Sequence, residues 1–491
     1  MTVQTNLYID GDEQQASGNA RYDVFNPARP SERVGRAAAA TIDDVDKAMR
    51  AAHHAFKSWS LLSIEERASF LANIADKLNE DEADVTMRKR LFTQEHGKTL
   101  FETNIEITRL ADRFRQVAGF ANKLGTDPQI KGPQFDTIVT RQSRGVTTLI
   151  VPWNWPLAIL GSKLPQALLA GNTVVIKLSE QATLAPALTI IRLASLLPKG
   201  VVNLITGDGT VIGDTLVGHE LVRQVNFTGS IPIGRHVMKI AAQNITPVTL
   251  ELGGNDAGIL LDDAPFGPEL FKKLNLSAFL TSGQICMALK RLYVPRRHFS
   301  DVIDGLGKAL SEQVIGDGLV EGVTMGPLNN AKQQNIVKKM TDEAEAKGVE
   351  VRYYGQIADE QDFGQGYFLR PSLVVDPNDD LSVVKDEQFG PTLPVIAYDD
   401  EDQAIAMANH SDYGLSSSVW SQDPQRAFQV AKQLEAGFTN INGHGPTAMD
   451  GLSPFGGVKQ SGIGRNFGVE GVLQFQETHS ISAPGGSLIS E

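Results

Sequence analysis

An α/β fold built on parallel sheets is what the sequence predicts, and three observations lead there. The first third reads as helices after a short extended start. From about residue 145, short apolar runs alternate with helical patterns, and a second such series runs from about 255 to 450. Near-continuous apolar strands separated by helices belong to a parallel sheet covered on both faces. A chain of 491 residues also exceeds one core, which gives roughly two to four domains.

The elements follow in order. Residues 42–58 carry apolar side chains at helical spacing. Ser63 with Glu66 forms a capping box ahead of an apolar face through Phe70, Leu71, Ile74 and Leu78. A further helical pattern spans about 103–123, and the Gly/Pro-rich run 125–136 reads as a connection. Residues 137–142 alternate as a half-buried strand should. Strands are then predicted at 147–152, 172–179, 201–207, 224–229 and 247–254. Helices fall around Leu164, Leu168 and Leu169 and near 183–197, 210–218 and 232–243. No internal repeat appears, and low complexity is confined to the Gly/Ser tail 485–490.

Bulk properties exclude several function classes. Hydrophobic residues make up 41% and charged residues 21%, with a formal net charge of -13. Nothing in that balance releases counterions from nucleic acid or docks on an anionic membrane. The basic clusters Lys290-Arg291 and Arg296-Arg297 read as solvated faces. The first residues lack an apolar signal segment, and no run approaches the ~18 apolar residues of a membrane span, so cytoplasmic residence is expected. Asn226-Phe227-Thr228 matches a glycosylation acceptor but lies in a strand-like run, so it reads as a chance match. The single cysteine, Cys286, rules out an intrachain disulfide and a cysteine metal cluster, and no metal site is expected.

Several constellations carry chemistry. Cys286 follows Thr281-Ser282-Gly283-Gln284-Ile285, with Lys290 and Arg291 close behind. Small flexible neighbours and positive potential favour a thiolate, yet a lone cysteine is also a common buried hydrophobe. Both readings stay open on the residues alone. Glu251 ends an apolar strand between leucines. Burial there would raise its pKa toward that of a general base, whereas the following Gly253-Gly254 would also let it turn to solvent. Asn154, in Pro152-Trp153-Asn154-Trp155-Pro156, brings a neutral amide to a strand's carboxyl end, where α/β sheets bind ligands. Lys177 and Glu180 lie at the same edge, and a carboxylate there accepts from ribose hydroxyls and repels a ribose phosphate. Gly207, Gly209 and Gly213 miss the dinucleotide fingerprint by one residue, and Gly229 with Gly234 is a second candidate. Spacing alone favours ordinary strand-to-helix turns for both.

Taken together, these segments resemble the aldehyde dehydrogenase superfamily over nearly the whole chain. The resemblance rests on PWNWP (152–156), KLSE (177–180), FTGS (227–230) with Gly234, ELGG (251–254), GQIC (283–286), EQFGP (387–391) and SPFGGVKQSGIGR (453–465), in order. It implies a Rossmann-like cofactor domain (1–121 and 143–253), an α/β catalytic domain (254–469) and a small β oligomerisation element (122–142 and 470–491). It implies that Cys286 is the nucleophile, that Asn154 and the Cys286 amide hold the oxyanion, that Glu251 activates water, and that Lys163 belongs to a proton relay. NAD, with NADP as the variant, would lie against Ile150, Val151, Pro152, Trp153, Phe227, Gly229, Ser230, Ile233 and Leu252. Lys177 and Glu180 would take its adenosine ribose beside Gly209, and Glu387 and Phe389 the nicotinamide side.

An aldehyde tunnel would be lined by Trp155, Ile159, Ser162, Ile285, Met287, Met449 and Phe455. Those residues include no arginine, so a hydrophobic or aromatic aldehyde is expected rather than one bearing a carboxylate. Glu251 sets the chain apart from the coenzyme A-acylating branch. His444, a lone histidine in a glycine-rich loop, reads as a surface or structural residue, with the tunnel mouth as the alternative. Two departures from the family pattern stand out: Asn466 where a glutamate is common, and Leu178 where proline is common. A homodimer or homotetramer joined at strand edges is implied. The competing readings are a cofactor-free cysteine esterase and a non-catalytic relative.

Overall fold

The computed structural model describes residues 3–485 and 488–489; residues 486, 487 and 490 of the Gly/Ser tail lie outside the described residues. Four helices follow the extended start: α1 (Ile42–Trp59), α2 (Ile64–Lys77), α3 (Glu82–His96) and α4 (Leu100–Ala118). Reciprocal capping boxes start three of them, Thr41 with Asp44, Ser63 with Glu66, and Thr99 with Glu102. Each satisfies two backbone donors that a helix start otherwise leaves orphaned. α3 ends on Gly97 at φ 92, a left-handed cap suited to glycine. Through Ile107, Leu110 and Phe114, α4 joins the largest apolar core and packs on α2 and on helix Pro156–Gly161.

The first sheet has eight strands, in the order Gly462–Ile463, Val248–Glu251, Val222–Thr228, Val146–Ile150, Thr173–Lys177, Val202–Ile205, Leu7–Ile9, Asp12–Gln14. Its five central strands run parallel, and Thr173–Lys177 and Val202–Ile205 are buried throughout. The chain order reverses between Val146–Ile150 and Val222–Thr228. That switch opens a crevice at the strands' carboxyl ends, the place where open α/β sheets bind ligands.

A second sheet of seven strands, residues 256–441, is parallel except for its edge strand Val351–Tyr353. The segment 254–469, expected to form the catalytic domain alone, also returns to the first sheet. Gly462–Ile463 pairs antiparallel with the end of Val248–Glu251. A third, three-stranded sheet pairs Gln476–Pro484 along the whole of Phe135–Ser143, with Gln129–Lys131 beyond.

Here the reading of 125–136 as mere connection needs correcting. Gln129–Lys131 is an edge strand whose pairing comes from its neighbour's backbone, so it leaves no hydrophobic pattern of its own. The solvated reading of Lys290-Arg291 also fails, since both are buried in strand Leu289–Pro295. Arg296 and Arg297 are exposed and paired with Asp399 and Asp262. Among the described residues, no helix is long and apolar enough to cross a membrane.

Candidate active site

Three consecutive left-handed residues precede the cysteine: Thr281 (φ 55), Ser282 (φ 54) and Gly283 (φ 71). For β-branched Thr281 this conformation is an outlier that its surroundings must enforce. They do so from several sides. The Thr281 N–H donates to Glu102, its hydroxyl accepts from Trp155 Nε1 at 3.1 Å, and its carbonyl accepts from Gln284 Nε2 at 3.0 Å. At Gly283 a Cβ would come within 2.2 Å of the Gly390 carbonyl, so only glycine fits the close approach. Lys290 Nζ donates to that same carbonyl at 3.0 Å.

Lys290 therefore ties two loops together rather than activating the thiol as expected. Arg291 is likewise spent on the carbonyls of Asn255, Met407 and Ala408. Burial, reinforced by the carboxylates of Glu387, Glu251 and Asp256, pushes the Cys286 thiol well above its usual range.

Cys286, half-buried, opens onto a tunnel of about 850 Å³, open mouth included. Asn154 and Glu251 line it, as do all seven residues predicted for it. Asn154 Nδ2 donates to the Gln284 carbonyl at 3.0 Å, which leaves its second amide hydrogen for another acceptor. Glu251 is buried, not turned to solvent, and burial pushes its carboxyl above the ordinary carboxylate range against the pull of Lys163, Asn466 and Arg465. A buried chain links these groups. Lys163 Nζ donates to Asn226 Oδ1, Asn226 Nδ2 to Asn466 Oδ1 at 3.0 Å, and Asn466 Nδ2 to Glu251 Oε1 at 3.1 Å. Asn466 thus meets Glu251 as a donor. Asn226, the apparent glycosylation acceptor, is fully buried.

The expectation of an arginine-free tunnel does not hold. Arg109 and Arg113 of α4 line it beside Pro446, Phe467 and Asn466. In the sequence they look like the solvated face of an amphipathic helix, and their one-turn spacing was the available signal. Sequence reasoning also missed the buried pair Lys98–Glu106. Lys98 lies 4.4 Å from the Trp155 ring centre, and Glu106 caps helix Pro156–Gly161 through the Leu157 N–H at 2.9 Å. His444 is fully buried, with Nδ1 against Ser418 Oγ at 2.9 Å, rather than at the tunnel mouth.

The crevice fits a dinucleotide. Glu180 accepts from the Gly209 N–H at 2.6 Å and pairs with Lys177 at 3.1 Å, so a carboxylate and an ammonium stand ready at the sheet edge. Leu178, fully buried in the core, leaves that pair intact. Gly229 and Gly234 permit close packing, since a Cβ would meet the Phe227 ring at 2.4 Å and Leu252 at 2.5 Å. Ser230 caps helix Ile231–Ala241 without spending its side chain, and Ile233 is exposed on the first turn. A free helix start of this kind suits a pyrophosphate.

Ile150, Val151 and Pro152 leave the sheet at the switch point, and the Trp153 ring meets Phe389 edge-on at 5.5 Å. Glu387 accepts from the Gly254 N–H at 3.0 Å. A Cβ on Gly253 would lie 2.5 Å from its carboxylate.

An α/β crevice for a dinucleotide, opening beside a half-buried cysteine, defines a cysteine-containing oxidoreductase. The family is settled by comparison: the aldehyde dehydrogenase family model matches residues 14–481, and the chain belongs to that family as an NAD(P)-dependent aldehyde dehydrogenase. It is 35% identical over 485 residues to lactaldehyde dehydrogenase of Escherichia coli, covering 98% of each chain. It is 36% identical over 474 residues to that organism's NADP(+) succinate-semialdehyde dehydrogenase, covering 95% of this chain and 96% of the relative. The crystal structure of betaine aldehyde dehydrogenase from Staphylococcus aureus in complex with NAD+ superposes with a TM-score of 0.92 at 32% identity. That match covers 99% of this chain and 96% of the other.

Proposed function

We propose that this enzyme oxidises an aldehyde through a thiohemiacetal and a thioester on Cys286, with Glu251 as the general base that hydrolyses the thioester. One observation carries the reading: a thiol, an amide donor and a buried carboxylate of raised pKa open onto one apolar-walled tunnel. Burial among carboxylates keeps the free thiol protonated, so its proton must be taken as Sγ adds to the carbonyl carbon, and Glu251 is poised to take it. The oxyanion then lies between the free hydrogen of Asn154 Nδ2 and the Cys286 N–H. A bound nicotinamide supplies the hydride acceptor. Glu251, once it has passed the thiol proton to solvent, takes a proton from the water that attacks the thioester and returns it to the departing Cys286 sulfur as the acid leaves. Asn466, an amide, orients Glu251 without acting as a second base, while Lys163 holds positive charge at the chain's far end.

NAD is the proposed cofactor, because Glu180 suits ribose hydroxyls and repels a ribose phosphate. Lys177 shares that end, Gly229, Ser230 and Ile233 the middle, and Glu387 and Phe389 the other. The substrate's carbon skeleton, aliphatic or aromatic, lies against Trp155, Met449 and Phe455. The lactaldehyde and succinate-semialdehyde relatives favour a small one.

Cytoplasmic residence and a homodimer or homotetramer belong to the same reading. The third sheet supports assembly, as it exposes Ile130, Phe135 and Ile481. The test is reduced-nicotinamide absorbance against a panel of aldehydes, with NAD and NADP compared and Cys286→Ala as control. Signal lost in the variant supports the mechanism. Ester cleavage without any cofactor reduction would give the function to a hydrolase instead.

A further inference from the structure

Two guanidinium groups on the tunnel wall have no part in the chemistry above. Arg109 and Arg113 stand one turn apart on α4, so they share a helix face, and both line the cavity that holds Cys286. Both are half-buried. Among the described residues their hydrogen-bond partners are neutral oxygens only. Arg109 Nη1 donates to the Pro446 carbonyl at 3.3 Å; Arg113 Nη1 donates to Gln116 Oε1 at 2.6 Å and to the Asp450 carbonyl. The Arg113 guanidinium lies 5.0 Å from the Phe467 ring centre. The chain makes room for it, because Gly451 (φ 77) is where a Cβ would come within 2.0 Å of Nη1. Burial and the neighbouring Arg109 charge both weaken Arg113's hold on its proton, against the opposing charges of Asp450 and Asp112, neither of which forms an ion pair with it. Two like charges held together without an ion-paired carboxylate form an unusual element in a chain of net charge -13.

We propose that the missing counter-ion is the substrate's own, and that Arg109 and Arg113 select aldehydes carrying a carboxylate at the far end of a short carbon chain. A guanidinium fork matches a carboxylate bidentately, and a second one beside it offsets the cost of desolvating the anion. The apolar walls between these arginines and Cys286 then take the methylene or aromatic part. The same pair repels an aldehyde that carries a quaternary ammonium. This inference rests on the reading that aldehyde oxidation occurs in this tunnel.

The experiment compares kcat/KM for butanal and pentanal with that for the terminal oxo acids of the same length, and for a quaternary-ammonium aldehyde. It uses the wild-type enzyme, Arg109→Met, Arg113→Met, the double Met variant and the double Lys variant. Expected is a preference of about 10- to 100-fold for the oxo acids, carried mainly in KM. The double Met variant should lose that preference while keeping its rate on pentanal, and the double Lys variant should keep part of it. Equal use of acid and neutral aldehydes by the wild type would overturn the assignment. So would a double Met variant that slows both substrates by one factor, which would make the arginines merely structural. Oxidation of neutral aldehydes without the preference leaves the proposed function standing and removes only this inference. If no aldehyde reduces NAD, both fall.

Discussion

Glu102 is the residue whose loss should separate the Cys286 loop from its support. One carboxylate oxygen accepts from the Thr99 N–H at 2.8 Å and the Thr99 hydroxyl at 3.0 Å, closing the α4 capping box. The other accepts from the N–H of Thr281, the first left-handed residue before Cys286. Glu102→Gln keeps the shape but replaces one acceptor oxygen with an NH2 group that cannot accept. Whichever way the amide turns, one buried N–H faces another donor. An orphaned buried donor costs about 1–3 kcal/mol, and half a capping interaction about 0.5–1 kcal/mol. Holding Thr281 and Ser282 left-handed costs about 1–2 kcal/mol each, so the loss of support is comparable with the strain it opposes. At about 1.4 kcal/mol per decade, local opening of the loop should rise roughly 10- to 100-fold.

Iodoacetamide alkylation of Cys286, followed by mass, reads that opening directly, and the half-life of thermal inactivation reads its effect on the whole fold. Glu102→Gln should alkylate faster, inactivate sooner and lose turnover. Wild-type alkylation and inactivation rates in the variant would refute the argument that Glu102 enforces the strained segment.

Three further outcomes are expected. Asn154→Ala should lower kcat by about 10²- to 10³-fold with little change in KM, measured in steady state, as for removal of an oxyanion donor. Glu251→Gln should slow NADH formation from the first turnover onward, with no fast burst in stopped flow, since the same carboxylate serves both the thiol's addition and the hydrolysis. The wild-type rate should rise with pH through a limb above the ordinary carboxylate range, since the base works ionised and burial raises its pKa; the variant should lack that limb. Glu180→Gln should narrow the ratio of kcat/KM for NAD over NADP by about 10-fold, through removal of a charge that repels the ribose phosphate.

Much of this was legible in the sequence where local chemistry decides the outcome. The Ser63 box, the buried parallel strands and the lone cysteine carry their signals in adjacent residues. What stayed hidden depends on partners far along the chain. Arg109 and Arg113 have the look of a wetted helix face until the 446–467 segment folds over them. Lys290 sits four residues from the thiol, yet its ammonium meets Gly390, a hundred positions away. Burial of Lys98 against Glu106 cannot be told from an exposed i, i+8 pair without knowing what covers it. Strand Gln129–Lys131 exists because Phe135–Ser143 offers it an edge.

The short strand Gly462–Ile463 sets an order on biosynthesis. It seals the outer edge of Val248–Glu251, and the Leu252 N–H just beyond donates to the Ser461 carbonyl at 2.9 Å. During translation the five parallel strands emerge early and can begin to assemble as the chain is made. The margin beside Glu251, however, stays open until some two hundred further residues have left the ribosome. A nascent chain therefore carries an unpaired strand edge while those residues are made, the feature that invites intermolecular pairing. Catalytic competence arrives almost at the last, when the carboxyl-terminal segment closes over Glu251, so a prematurely terminated product would be inert as well as prone to aggregate.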